Sequence, residues 1–250
     1  MGRFSSKRVV LTGGATGIGR ATALAFAREG AAVMIGDIDD RAKETTEIII
    51  KSGGAAVFQR TDVSDPVQAA ALVQRCVEEF GGLDAAFNNA GVLPPTKAFH
   101  EMSQEDFHRV IDVDVKGVFN CMQAELRHML GHGGGAIVNT TSVAGLIADP
   151  GMAPYVAAKH AVVGLTKAAG VEYARNGIRV NAIAPGLVHT PMTDRWLADE
   201  EFTKAFLAAS PIGRPAEPEE MTGLVLHLCS DEATFTNAQV FVMDGGQTAH

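Results

Sequence analysis

Lys7-Arg8-Val9-Val10-Leu11-Thr12-Gly13-Gly14-Ala15-Thr16-Gly17-Ile18-Gly19-Arg20-Ala21-Thr22-Ala23-Leu24 runs from a β-branched stretch through a cluster of glycines into a helix-like segment. Its reading decides the fold. A tight strand-to-helix turn needs positive φ, a backbone without side chain approaches a pyrophosphate closely, and a helix packs hard on its strand only where Cβ atoms are missing. The helix start then presents unpaired N–H groups and a positive dipole end to phosphate. A glycine-rich string by itself also fits an ordinary βα turn. The strand before it and the helix after it favour a dinucleotide site.

Outward from this turn, short apolar runs alternate with helix-length segments. Val9–Thr12, Ala32–Asp37, Ala55–Arg60, Ala85–Asn89, Ala136–Thr141, Ile178–Ala184 and Gln239–Met243 read as strands. Most are apolar almost throughout, as strands are when helices cover both faces of a parallel sheet. Gly17–Glu29, Arg41–Lys51, Pro66–Phe80, Ser103–Leu130, Pro154–Arg175 and Glu217–Leu228 are long enough for crossover helices. Repeated β-then-α with right-handed crossovers gives an α/β, doubly wound sheet of seven strands flanked by helices. No linker or repeat divides the chain, so residues 1–250 read as one domain. The alternation breaks around 187–215, where a helix-like Asp194–Ala209 sits in an insertion suited to a substrate lid.

Composition narrows the class. Hydrophobic residues make up 46% of 250, enough for one sizeable core, and the formal net charge of −8 provides no basic footprint for nucleic acid. No uninterrupted apolar run is long enough for a membrane span, and the polar Met1–Ser6 lead lacks the features of a secretory signal. Cys76, Cys121 and Cys229 have neither disulfide nor zinc-thiolate spacing, so a cytoplasmic location is expected. His128 and His132 stand at i and i+4 without a third ligand; helix-end dipole compensation is the better reading, and no metal is expected.

The second strand ends in Asp37. A carboxylate there can accept from both ribose hydroxyls of NAD and would repel the 2′-phosphate of NADP. The next residue is Ile38 rather than Arg, and Thr16 rather than a base precedes Gly17, so no local cation is expected for that phosphate; capping of the following helix is the alternative role for Asp37. Tyr155 and Lys159 stand at i and i+4, on one face of a helix. A fixed ammonium, with a cationic nicotinamide nearby, favours the phenolate and makes proton abstraction from an alcohol feasible. Ser142 ends the fifth strand, on the edge where open parallel sheets carry their sites, placed to donate to a substrate oxygen.

These motifs together resemble the short-chain dehydrogenase/reductase family over the whole chain. The glycine spacing Thr-Gly-x-x-x-Gly-x-Gly matches, as do Asp62-Val63, Asn88-Asn89-Ala90-Gly91, Asn181-Ala182-Ile183-Ala184-Pro185-Gly186 followed by Val188 and Thr190, and Asp244-Gly245-Gly246. The resemblance implies a Rossmann fold with strand order 3-2-1-4-5-6-7. It implies an NAD site built from Gly13, Thr16, Gly17, Ile18, Gly19, Asp37, Ile38, Asp62, Val63, Asn89, Ala90, Gly91, Pro185, Gly186, Val188 and Thr190, with Tyr155 and Lys159. It further implies that Ser142 polarises the substrate oxygen, Tyr155 is the acid/base, and Lys159 lowers the tyrosine pKa and binds the nicotinamide ribose. The family's fourth catalytic member is an Asn before Leu-x-Gly-x-Phe, where it helps hold a proton-relaying water. This chain has Asp114 there. An ionised carboxylate accepts from water but does not donate, and its charge partly cancels the ammonium's field at Tyr155.

Leu93, Leu146, Met152, Leu187, Met192 and Trp196 come from loops after the fourth, fifth and sixth strands and form the expected substrate pocket. Their apolar character suits a small cyclic or aromatic-derived secondary alcohol, or its ketone, better than a sugar. Two alternatives stay open: an NADPH-dependent 3-oxoacyl-type ketone reductase, disfavoured by Asp37 and the net charge, and a non-catalytic NAD-binding regulator, disfavoured by Ser142, Tyr155 and Lys159. The apolar content of the fourth and fifth helices, with the family resemblance, suggests a homotetramer.

Overall fold

A computed structural model describes residues 2–208 and 210–249. Along the chain the elements are β1 (Arg8–Thr12), α1 (Gly17–Arg28), β2 (Ala32–Asp37), α2 (Ala42–Lys51), β3 (Ala55–Arg60), α3 (Pro66–Phe80), β4 (Ala85–Asn88), α4 (Gln104–Val110), α5 (Val118–Gly131), β5 (Gly135–Thr140), α6 (Ala153–Tyr173), β6 (Ile178–Pro185), α7 (Asp194–Leu197), α8 (Glu200–Ala208), α9 (Pro218–Cys229) and β7 (Val240–Met243). The strands form one parallel seven-stranded sheet in the order β3-β2-β1-β4-β5-β6-β7. The winding reverses between β1 and β4, which opens a crevice at the carboxyl ends of those strands.

Both sheet faces are buried, which is why the strands read as apolar throughout. Val9, Leu11, Val33, Ile35 and Phe87 pack with Phe26 of α1 and Val225 of α9. The alternate residues Val10, Met34, Ala86 and Ile137 pack with Leu72 of α3, Met122 and Met129 of α5 and Val162 of α6. Helix ends follow local chemistry. The Asp65 carboxylate accepts from the Val67 N–H at 2.8 Å, Pro66 occupies the first turn of α3, and Gly81, at φ 83°, ends it.

Two segments differ from the sequence reading. The helix expected over Ser103–Leu130 is interrupted by a π-helical turn at Ile111–Gly117, between α4 and α5. A widened turn of this kind takes an extra residue without leaving the helix axis, and the 3.6-residue period hides it. It carries Asp114, which is fully buried. The helix expected over Asp194–Ala209 is two shorter helices, α7 and α8. Asp199 between them accepts the Phe202 N–H on its side chain at 3.0 Å and restarts the helix; Ala209 lies outside the described residues. No helix among the described residues is long and apolar enough to cross a membrane.

Candidate active site

The β1–α1 turn is held from two sides. Gly13 sits at φ 73°, and a Cβ there would come within 2.9 Å of the Ala90 backbone. A Cβ on Gly19 would lie 1.9 Å from the Gly13 carbonyl oxygen, so Gly19 serves close packing and does not line the cleft. Just past β4, the Asn89 side-chain amide donates to the Gly13 carbonyl at 3.3 Å, and the Asn89 N–H donates to Thr12 Oγ1 at 3.1 Å. From β2, the Asp37 carboxylate accepts the Ala15 N–H and the Asp39 N–H, both at 2.9 Å. Asp37 therefore braces the turn as well as facing the cleft.

The cleft runs along the carboxyl edge of the sheet. Asp37, Ile38, Asp62 and Val63 line it, as do Ser142, Tyr155 and Lys159. Gly13, Thr16, Gly17, Ile18, Asn89, Ala90, Gly91, Pro185, Gly186, Val188 and Thr190 line it too. The donor set suits a nicotinamide dinucleotide: a glycine cradle that a Cβ would fill, a helix N-terminus, and a carboxylate for ribose hydroxyls. Sequence reasoning missed Thr61, Val92, Val113, Thr140, Thr141 and Thr193, which also line it. These residues become neighbours only through the sheet register and the π-turn. Sequence reasoning also found no cation near Asp37. Arg41 is close enough to feel that charge, but its guanidinium donates to Asp39 at 2.8 Å.

Ser142 follows β5. Its Oγ accepts the Ala144 N–H at 3.2 Å and donates to the Pro185 carbonyl at 3.5 Å. Tyr155 and Lys159 occupy successive turns of α6, with the ammonium 5.2 Å from the ring centroid. Lys159 Nζ also donates to the Thr140 carbonyl at 3.2 Å and lies 3.0 Å from Asp114 Oδ2. The other Asp114 oxygen accepts the Val92 N–H at 2.8 Å. Both members of this ion pair are buried.

Burial works against the Lys159 charge, but the Asp114 and Tyr155 charges outweigh it and hold the ammonium above its ordinary value. Burial pushes the Asp114 carboxyl up, against the pull of Lys159 and of the Val92 N–H. Burial raises the Tyr155 phenol too; Lys159 pulls it back, and Asp114 adds to the rise. The expected lowering of this phenol is therefore absent from the chain on its own: burial outweighs the ammonium, and the carboxylate at 114 adds to the rise.

Of the expected substrate pocket, Met192 lines the cleft. Leu93, Leu146, Met152, Leu187 and Trp196 are not among its lining residues. Leu187 faces a separate cavity with Phe206, Ile212 and Met221. Trp196 instead reaches the loop after β4, its indole N–H 3.4 Å from Thr96 Oγ1. Beside it, Arg195 donates to the Pro94 carbonyl at 2.6 Å.

A protein-family model described as Enoyl-(Acyl carrier protein) reductase matches residues 13–248. The chain belongs to the short-chain dehydrogenase/reductase family. It is 42% identical over 249 residues to a cyclohexanol dehydrogenase of Acinetobacter sp. (strain SE19), covering 99% of this chain and 97% of that one. It is 44% identical over 246 residues to a cis-4-hydroxycyclohexanecarboxylate dehydrogenase of Sinomonas cyclohexanicum, covering 98% of each. A crystal structure of a gluconate 5-dehydrogenase from Burkholderia cenocepacia J2315, in complex with NADP and tartrate, superposes with a TM-score of 0.94 at 33% identity, covering 99% of this chain and 98% of that one. The protein is an oxidoreductase of this family, acting on CH–OH groups with NAD(P).

Proposed function

We propose that the protein interconverts a small cyclic secondary alcohol and its ketone with NAD, using Tyr155 as acid/base, Ser142 to orient the substrate oxygen, and Lys159 and Asp114 to set the proton balance around the phenol. The convergence of Ser142, Tyr155 and Lys159 on the cleft that holds the glycine turn carries this reading. The similar cyclohexanol and hydroxycyclohexanecarboxylate dehydrogenases support the substrate class. Bound nicotinamide supplies the hydride acceptor or donor. In the oxidation direction Ser142 Oγ donates to the alcohol oxygen while the Tyr155 phenolate takes its proton. In reduction Tyr155 returns that proton.

Asp37 supports NAD: it lines the cleft, and Arg41, the cation close enough to feel it, is occupied by Asp39. The NADP-bound gluconate dehydrogenase keeps the phosphorylated cofactor as the second reading. The insertion carrying α7 and α8 acts as a lid, latched through Arg195 and Trp196 to the loop after β4. Phe119, Leu130 and Val171 are exposed on α5 and α6, which supports a homotetramer, and the buried free cysteines support a cytoplasmic setting. The decisive assay is a panel of cyclic and open-chain secondary alcohols with NAD and with NADP, followed by nicotinamide absorbance. Tyr155→Phe should lower turnover on the order of a thousandfold while cofactor still binds. Unchanged rates in that variant would overturn the assignment.

A further inference from the structure

Beneath the cleft, α5, β4, β5 and α6 are tied by a buried polar belt outside the site just described. The Asn88 side-chain N–H donates to Glu125 Oε2 at 3.0 Å and to Asn139 Oδ1 at 3.1 Å. The Asn139 amide donates in turn to Thr166 Oγ1 at 3.0 Å. Asn88, Glu125, Asn139 and Thr166 are all fully buried. Among the described residues, Asn88 Oδ1 and Glu125 Oε1 have no hydrogen-bond partner. The leftover atoms belong to the same two groups already joined through Nδ2 and Oε2. If both are bare acceptors, the arrangement leaves two buried lone-pair sites uncompensated, which costs about 1–3 kcal/mol each.

We propose that Glu125 carries a proton on Oε1 and that this proton closes an acid–amide pair with Asn88, making Glu125 a positioning residue for the cofactor cleft. One proton turns an acceptor into a donor and satisfies both leftover atoms together. The surroundings agree. Burial pushes the Glu125 carboxyl up to about 8, against the pull of the Asn88 amide. The titratable groups that face it are thiols: Cys121 on α5 and, more distantly, Cys229 on α9. Burial keeps both neutral, Cys121 well above its ordinary value and Cys229 up to about 12. β4, β5 and α6 bring it amides and a hydroxyl, with no cation among the described residues acting on that carboxyl.

The belt ends where the cofactor residues begin. Asn89, next to Asn88, holds the glycine turn and accepts from Thr140 Oγ1 at 3.3 Å. Ionisation of Glu125 removes the donor that fixes Asn88 and loosens the carboxyl end of β4. The link from this pair to cofactor affinity rests on the proposed cofactor reading; the proton itself does not.

The test is infrared spectroscopy of the cofactor-free protein grown with glutamate isotope-labelled at its side-chain carboxyl carbon. The label moves a glutamic-acid carbonyl band and leaves aspartic bands in place, Asp114 included. A shifted acid band at pH 7 that fades as pH passes about 8, and is missing from Glu125→Gln, is the expected result. A carboxylate alone at pH 7 overturns the proposal, and wild-type protein decides this even if the variant does not fold. For positioning, NAD affinity is compared at pH 7 and 9. The wild-type dissociation constant should rise by up to about tenfold more than that of Glu125→Gln, whose amide does not ionise. Equal ratios overturn the positioning role, and failure to bind NAD at any pH indicts the cofactor reading instead.

Discussion

Asp114 and Glu125 lie on the same continuous helical stretch, Asp114 in its π-turn and Glu125 in α5, both fully buried, and the protein treats them in opposite ways. Asp114 faces an ammonium at 3.0 Å and a backbone N–H at 2.8 Å, so its charge is compensated twice. Glu125 faces an amide that offers one N–H and is already shared with Asn139. Burial alone therefore does not set the state of a carboxyl group. What decides it is whether the facing element supplies a cation, because desolvation of an ion costs several kcal/mol and a lone hydrogen bond returns only part of that.

The comparison breaks most visibly when each acid loses its partner. Lys159→Met strands a buried carboxylate and should destabilise the fold by about 3–5 kcal/mol at neutral pH, besides abolishing turnover. The double variant with Asp114→Asn should regain most of that stability in denaturant titrations. Asn88→Leu leaves Glu125 free to remain protonated, and should cost only about 1–3 kcal/mol. Equal losses from the two partner deletions would erase the distinction drawn between the acids.

A second effect separates them by pH. The raised Glu125 carboxyl binds its proton more tightly in the folded chain than in the unfolded one. Its stabilising contribution is thus complete below its ordinary value of 4.5 and is lost as pH climbs to about 8. The loss amounts to at most roughly 4–5 kcal/mol by linkage, less if water enters on ionisation. Unfolding free energies for wild type and Glu125→Gln, measured across that window, should converge or cross toward the alkaline end. Parallel curves would place the acid in its ordinary ionised state.

Much of this arrangement was legible in the sequence, and for physical reasons. The glycine turn, the Tyr155 and Lys159 spacing and the apolar strands are local patterns, so the doubly wound sheet and the cleft at its edge follow from them, while the strand order rested on the family resemblance. Asp114 was visible as a departure, but the π-turn that aims it at Lys159 was not, because an inserted residue leaves no period of its own. Glu125 had a signal that went unread. It sits on the stripe Val118, Cys121, Met122, Leu126 and Met129, where a helix buries its apolar face. The substrate pocket was the least legible, because loop residues such as Leu187 turn toward one cavity or another according to neighbours distant in sequence.

The smallest expected change sharpens the comparison from the catalytic side. Asp114 raises the Tyr155 phenol through the charge it sets beside Lys159, whereas Glu125 carries none on the present reading. Asp114→Asn leaves the ammonium unopposed, so the phenol should titrate lower. That shift would appear in the pH profile of kcat/KM for alcohol oxidation, with turnover at neutral pH retained or raised by up to about tenfold. With NAD saturating at every pH, Glu125→Gln should leave the same profile where it was. An unmoved profile in Asp114→Asn would mean that the cationic nicotinamide, rather than the buried ion pair, governs the phenol. A folded, NAD-bound but inactive variant would instead give the carboxylate a direct part in proton transfer.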